Sequence, residues 1–110
     1  MIPNKVKIGW REYTVEQSEH RSGDGGGDLY GEINYEGQKI YIYDKLTPDN
    51  KVVTLLHEIM HGIFYISGHE KWRKDEGLID CISENLYQVI KDNPDLFKES
   101  GLIEAKNTTT

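Results

Sequence analysis

The chain has 110 residues and a formal net charge of -6, from 13 basic and 19 acidic side chains. This length is near the common size of one domain and leaves no room for a second core. The acidic balance argues against non-specific nucleic-acid binding, which needs a surplus of Lys and Arg. We therefore expect one domain over residues 1–106, a disordered tail at 107–110, and no nucleic acid among the partners.

The cellular location is predicted from three absences. The sequence has no run of eighteen apolar residues, and its first residues lack the apolar core of a signal peptide. Cys81 is the single cysteine, so an internal disulfide cannot form. These features predict a cytoplasmic protein with no membrane partner.

The N-terminal half has the residue pattern of β-strands. β-Branched and aromatic residues fall at alternating positions, as at Val6, Ile8 and Trp10. A glycine-rich run at 23–28 predicts a flexible loop between the first strand and the next pair. We expect three antiparallel strands, near residues 5–17, 29–35 and 38–43.

After the strands, the apolar residues recur at helical spacing. Thr47 followed by Pro48 predicts the start of a first helix, and Gly68 predicts its end. A second helix is expected to start within residues 72–76 and to run to about Lys91, with a short third helix after it. The predicted class is therefore α+β, with a small antiparallel sheet of about three strands packed on two main helices.

The first predicted helix carries the pattern H-E-x-x-H, at His57, Glu58 and His61. Two imidazoles four residues apart share one helix face and can reach a single zinc ion. Glu58 would lie beside the metal, where a carboxylate can take a proton from zinc-activated water. The competing interpretation is a pair of hydrogen-bonded core histidines with a surface glutamate. The spacing favours a zinc hydrolase with one Zn²⁺ per chain.

A catalytic zinc needs a third protein ligand and one open position. The metzincin pattern would require glycine and histidine at positions where this sequence has Phe64 and Ser67. The second helix offers carboxylates at Glu76, Asp80 and Glu84. Carboxylates beside buried positions cost folding free energy unless a cation neutralises their charge. A carboxylate of the second helix is therefore the expected third ligand.

The segment from Asp75 to Asp80 resembles the second motif of gluzincin peptidases, N-E-x-x-S-D, with two substitutions. The resemblance implies that Glu76 is the third zinc ligand and that Asp80 accepts a hydrogen bond from the ligand His57. A carboxylate in that position fixes the tautomer and orientation of the imidazole and raises its basicity. Glu84 remains the alternative metal ligand.

The whole layout is similar to that of minimal zincins of bacteria and phages, such as the ImmA/IrrE-type peptidases. The similarity covers about residues 29–95, and its specific part is the two short motifs. It implies a zinc metallopeptidase with Glu58 as general base, acting on a peptide or protein substrate. Because members of that group cleave regulatory proteins, the expected substrate is a regulatory protein in a bacterial or phage context, delivered with the help of a partner protein.

Two further expectations concern the reaction. Tyr87 or Tyr65 is expected to stabilise the oxyanion, and the substrate is expected to add as a strand beside residues 39–43. The alternative function is a catalytically degenerate, zinc-binding zincin domain that serves as a protein-interaction module, since a small domain gains folding free energy from a bound metal even without turnover.

Overall fold

The computed structural model describes residues 2–19 and 30–100, with the backbone alone at 99 and 100. The described residues form a sheet and a set of helices, so the predicted α+β class is confirmed. The elements are β1 (Lys5–Ile8), β2 (Arg11–Ser18), β3 (Gly31–Asn34), β4 (Lys39–Tyr43), α1 (Pro48–Ile66), α2 (Glu70–Arg73), α3 (Glu76–Asp92) and α4 (Leu96–Ser100).

Some expectations fall outside the described residues. They are the glycine-rich loop at 23–28, the domain boundary at 106 and the tail at 107–110. Within the part of the chain that the structure describes, no helix combines the length and the apolar character needed to cross a membrane.

Over residues 2–19 and 30–100 the sheet has four strands in the order β1-β2-β4-β3, rather than the predicted three or so. The predicted strand over 5–17 is instead a hairpin, in which Ile8 pairs with Arg11 across a two-residue loop. Gly9 is the first loop residue and has a φ of +63°. A glycine in this position is typical of the tight turns that match the twist of antiparallel strands, so the chain reverses there although the alternation continues through Trp10.

The sheet is mixed rather than antiparallel throughout, because β2 and β4 pair in parallel. In the strand order β4 lies between β2 and β3, and β3 is an edge strand of the sheet formed by the described residues. The expectation that a substrate strand adds beside residues 39–43 is wrong, since both sides of that strand already have partners.

Helix α1 begins and ends where the sequence predicts. The side chain of Thr47 accepts a hydrogen bond from the backbone of Asn50 at 3.2 Å, and Pro48 occupies the first turn. At the other end Gly68 has a φ of +77°, and the N–H of His69 bonds the carbonyl of Phe64 at 2.9 Å. This is the Schellman arrangement, which satisfies the last carbonyls of a helix.

The core lies between one face of the sheet and α1, and α3 packs on α1 in turn. Strand residues at alternating positions supply most of it, as the period of a half-buried strand requires. The buried apolar residues are Ile2, Ile8, Tyr13, Val15, Ile40, Ile42, Leu55 and Ile79.

Helix α3 starts within the predicted window, at Glu76, and is capped by Asp75, whose side chain accepts from the N–H of Leu78 at 3.0 Å. Ile79 and Ser83 form its buried side. The one-turn helix α2 precedes it and was not anticipated. This connection brings the first turn of α3 beside the middle of α1.

Candidate metal centre

Helix α1 presents two imidazoles to one point beside α3. The Nε2 atoms of His57 and His61 lie 3.2 Å apart, and the ring centroids lie 4.8 Å apart at an interplanar angle of 63°. Residues four positions apart are neighbours on a helix surface, so the spacing predicted this juxtaposition.

Glu76 completes a cluster of three. Its Oε1 lies 3.0 Å from Nε2 of His57, and its Oε2 lies 3.2 Å from Nε2 of His61. Tetrahedral zinc with bonds of about 2.0–2.1 Å holds its ligand atoms about 3.3 Å apart, so the cluster is close to the size that the ion requires. One ligand atom from each of the three residues lies within 4.8 Å of the others, which makes them a group able to hold a metal ion.

The second nitrogen of each imidazole is also bound. Asp80 Oδ1 lies 2.8 Å from Nδ1 of His57, and the ring of His61 hydrogen-bonds the backbone of Arg73. Carboxylate and carbonyl oxygens only accept, so these partners assign the ring protons to the outer nitrogens and leave lone pairs on both Nε2 atoms. Partners of this kind orient metal-binding imidazoles in known sites.

The inner atoms of the cluster are therefore all hydrogen-bond acceptors. Two Nε2 lone pairs and the Glu76 carboxylate face one another at 3.0–3.2 Å. Such a group is stable only with a cation or extra protons between its members. Burial lowers the pKa of His61, which disfavours the protonated imidazole at that position. The three side chains therefore form a group that can hold a metal ion.

Glu58 lies beside the cluster but outside it. Its side chain is 5% exposed, and burial raises its pKa to about 8, with the charges of Glu76 and Glu32 adding to the effect. Strand β3 covers the carboxylate closely, because a Cβ added at Gly31 would lie 3.1 Å from Oε2 of Glu58. Glu58 is therefore a carboxylate that is held beside the cluster and contributes no ligand atom to it.

A cavity of about 670 Å³ opens over these residues. Its walls come from β3, the middle of α1, the end of α2 and the first half of α3. Tyr35 and Arg73 line it, and neither residue belongs to the motifs that predicted the site. No local pattern marks them, since each reaches the cavity only through the packing of separate elements.

Three other residues predicted for the site lie outside the metal cluster. Glu84 lines the same cavity but lies two helical turns beyond Glu76, about 12 Å along the axis, so it is not part of the cluster. The hydroxyl of Tyr87 hydrogen-bonds Asp49 and does not line the cavity. Tyr65 also lies outside the cavity lining, where its ring stacks on Tyr35. The structure therefore does not bring Tyr87 or Tyr65 to the position expected of an oxyanion donor.

Comparison with known proteins identified no relative of this chain. No family model, curated protein or solved structure matches the chain.

Proposed function

We propose that this protein is a zinc-dependent metallopeptidase. The observation that carries the proposal is the convergence of three acceptor groups whose outer hydrogen bonds are already made. Glu58 adds a second argument, because a purely structural zinc site needs no buried carboxylate beside its ligands.

In this proposal His57, His61 and Glu76 hold the ion, and Asp80 orients the ring of His57. Bound zinc supplies Lewis acidity, which activates a water molecule and polarises the scissile carbonyl. Glu58 accepts the proton of the attacking water as the new C–O bond forms. It then delivers that proton to the amide nitrogen as the C–N bond breaks, which releases an amine and a carboxylic acid.

The edge strand offers a place for an extended substrate. Among the described residues β3 pairs only with β4, and its Gly31 lies against Glu58. A peptide hydrogen-bonded along the free side of β3 would therefore pass the general base and the metal cluster. A regulatory protein as substrate, a delivery partner and a cytoplasmic location remain predictions, and the last is supported by Cys81, an exposed free thiol.

Metal content tests the site. We expect about one zinc per chain by elemental analysis in the wild type and in Glu58→Gln, and loss of zinc in His57→Ala. His69→Ala is the matched control, because this histidine stacks on Trp72 at the start of α2 and does not line the cavity. Failure of the wild type to take up zinc on titration would overturn the proposal.

Turnover is tested separately on the zinc-loaded protein. A diverse peptide library should be cleaved by the wild type and left intact by Glu58→Gln, with products identified by mass spectrometry. Glu58→Gln then serves as a trap for the natural substrate. A zinc-loaded wild type that cleaves no peptide but retains a bound protein partner would favour the alternative, a degenerate zincin domain acting as an interaction module.

A further inference from the structure

The wall of the cavity beside α2 is formed by a tyrosine and an arginine in contact. The ring of Tyr35 stacks on Tyr65 with centroids 4.1 Å apart and an interplanar angle of 10°. The Arg73 guanidinium lies 5.2 Å from the Tyr35 ring centroid, and its Nη1 is 3.4 Å from the Tyr35 hydroxyl. Stacking and a cation over the ring together restrict the orientation of this phenol.

Both the side chain and the backbone of Arg73 form hydrogen bonds. Its guanidinium forms two hydrogen bonds with Glu70, of which the Nε bond measures 3.0 Å. Its backbone hydrogen-bonds the ring of His61. One residue therefore links the orientation of a proposed zinc ligand to the position of the Tyr35 hydroxyl.

The hydroxyl has the chemistry of a donor into the cavity. A phenol carries one proton and two acceptor lone pairs, so accepting from Arg73 leaves its proton to be donated elsewhere. Tyr35 lines the same cavity as Glu58 and the metal cluster. Burial raises the pKa of Tyr35, so the donor keeps its proton at neutral pH.

We propose that the Tyr35 hydroxyl donates a hydrogen bond to the oxyanion that develops on the substrate carbonyl, and that Arg73 is the residue that positions it. The inference rests on the proposed peptidase function and replaces Tyr87 and Tyr65 in this role. Preorganised donors aimed at developing negative charge are among the largest contributions to catalysis of acyl transfer.

The kinetic test compares Tyr35→Phe with Tyr65→Phe. Both variants keep the stacked pair and remove one hydroxyl, but only the first hydroxyl belongs to a cavity-lining residue. We expect kcat of Tyr35→Phe to fall about a hundredfold with an unchanged zinc content and little change in KM, and Tyr65→Phe to resemble the wild type.

A binding test needs no turnover. Co²⁺-loaded protein, followed by its visible spectrum, is titrated with methylphosphonate, a tetrahedral oxyanion, and with 2-mercaptoethanol, which offers a thiolate and no oxyanion. Tyr35→Phe should weaken phosphonate binding about tenfold and leave thiol binding unchanged. Arg73→Met retains the backbone that His61 uses, so it should weaken phosphonate binding while the metal content stays at one.

The outcomes separate the inference from the proposed function. A wild type that cleaves peptides, with Tyr35→Phe equal to Tyr65→Phe in kcat and in phosphonate affinity, overturns the role of Tyr35 and leaves the peptidase intact. A wild type that takes up no metal, or takes it up and cleaves nothing, overturns the peptidase and the role of Tyr35 with it. A selective loss in Tyr35→Phe, in both kcat and phosphonate affinity, supports the inference.

Discussion

Replacing Gly31 by alanine should destabilise the protein mainly through a clash with Thr54, with smaller contributions from contacts of 3.1 Å with Glu58 Oε2 and 3.2 Å with the Tyr41 carbonyl. A Cβ at this position would lie 2.6 Å from Cγ2 of Thr54, whereas carbon atoms in contact are normally about 3.5–4.0 Å apart. Overpacking of this kind costs about 1–3 kcal/mol, and the better strand-forming tendency of alanine offsets about 0.5–1 kcal/mol of it. We expect a net loss of about 1–2 kcal/mol, or a melting temperature lower by roughly 5–15 °C.

The assay is thermal and urea unfolding of the metal-free protein, with two companion variants. Gly77→Ala is the control, because among the described residues a Cβ there would meet only Asp75 Oδ1, at an ordinary 3.6 Å, so this helical position should be neutral or gain up to about 1 kcal/mol. Thr54→Ser removes the clashing methyl, so the double variant Gly31→Ala/Thr54→Ser should recover at least about 0.5 kcal/mol of the loss. Full stability of Gly31→Ala, or no recovery in the double variant, would refute the steric argument.

The remaining predictions concern the acidic residues and the core. In EDTA, the free energy of unfolding should fall by at most about 5 kcal/mol as the pH rises from about 4.5 to 8, because the folded protein holds the Glu58 proton that the unfolded chain releases. Glu58→Gln should flatten this pH profile, which urea unfolding measures. Asp80→Asn should weaken zinc affinity about 10- to 100-fold in competition with a chelator and change apo stability little, since Asp80 is exposed. Ile79→Ala should cost about 2–5 kcal/mol by urea unfolding, whereas Leu86→Ala at an exposed position should cost less than about 1 kcal/mol.

The local features of the fold were predictable because their causes are adjacent in sequence. Thr47 and Pro48 start α1 through contacts within one turn, and Gly68 ends it by adopting a conformation that other residues rarely adopt. The helical spacing of His57 and His61 likewise fixes their juxtaposition.

The sheet topology was not predictable in the same way. The alternation of apolar residues continues past Gly9 to Trp10, and it resumes at Tyr13 and Val15 after two polar residues, so the prediction of one strand over residues 5–17 overlooked a change of phase at the hairpin. The parallel pairing of β2 with β4 depends on contacts between residues about 25 positions apart, such as Thr14 and Lys39, and no local signal specifies them. The same reason explains why Tyr35 and Arg73 were missed as cavity residues.

The polar groups of α1 are difficult to explain by folding alone. Glu58 and His61 occupy buried positions in a helix whose neighbours are mostly apolar, and each costs stability there relative to an apolar side chain. Their environments also oppose charge, since burial raises the pKa of Glu58 and lowers that of His61. In the proposed site a divalent cation would reverse this balance, because it would bind the acceptor atoms of His61 and Glu76 and favour the ionised form of Glu58 that a general base requires. In the proposed site the ionised state of the general base depends on the bound metal, whereas metal binding does not require Glu58, so Glu58→Gln should lose turnover and keep its zinc.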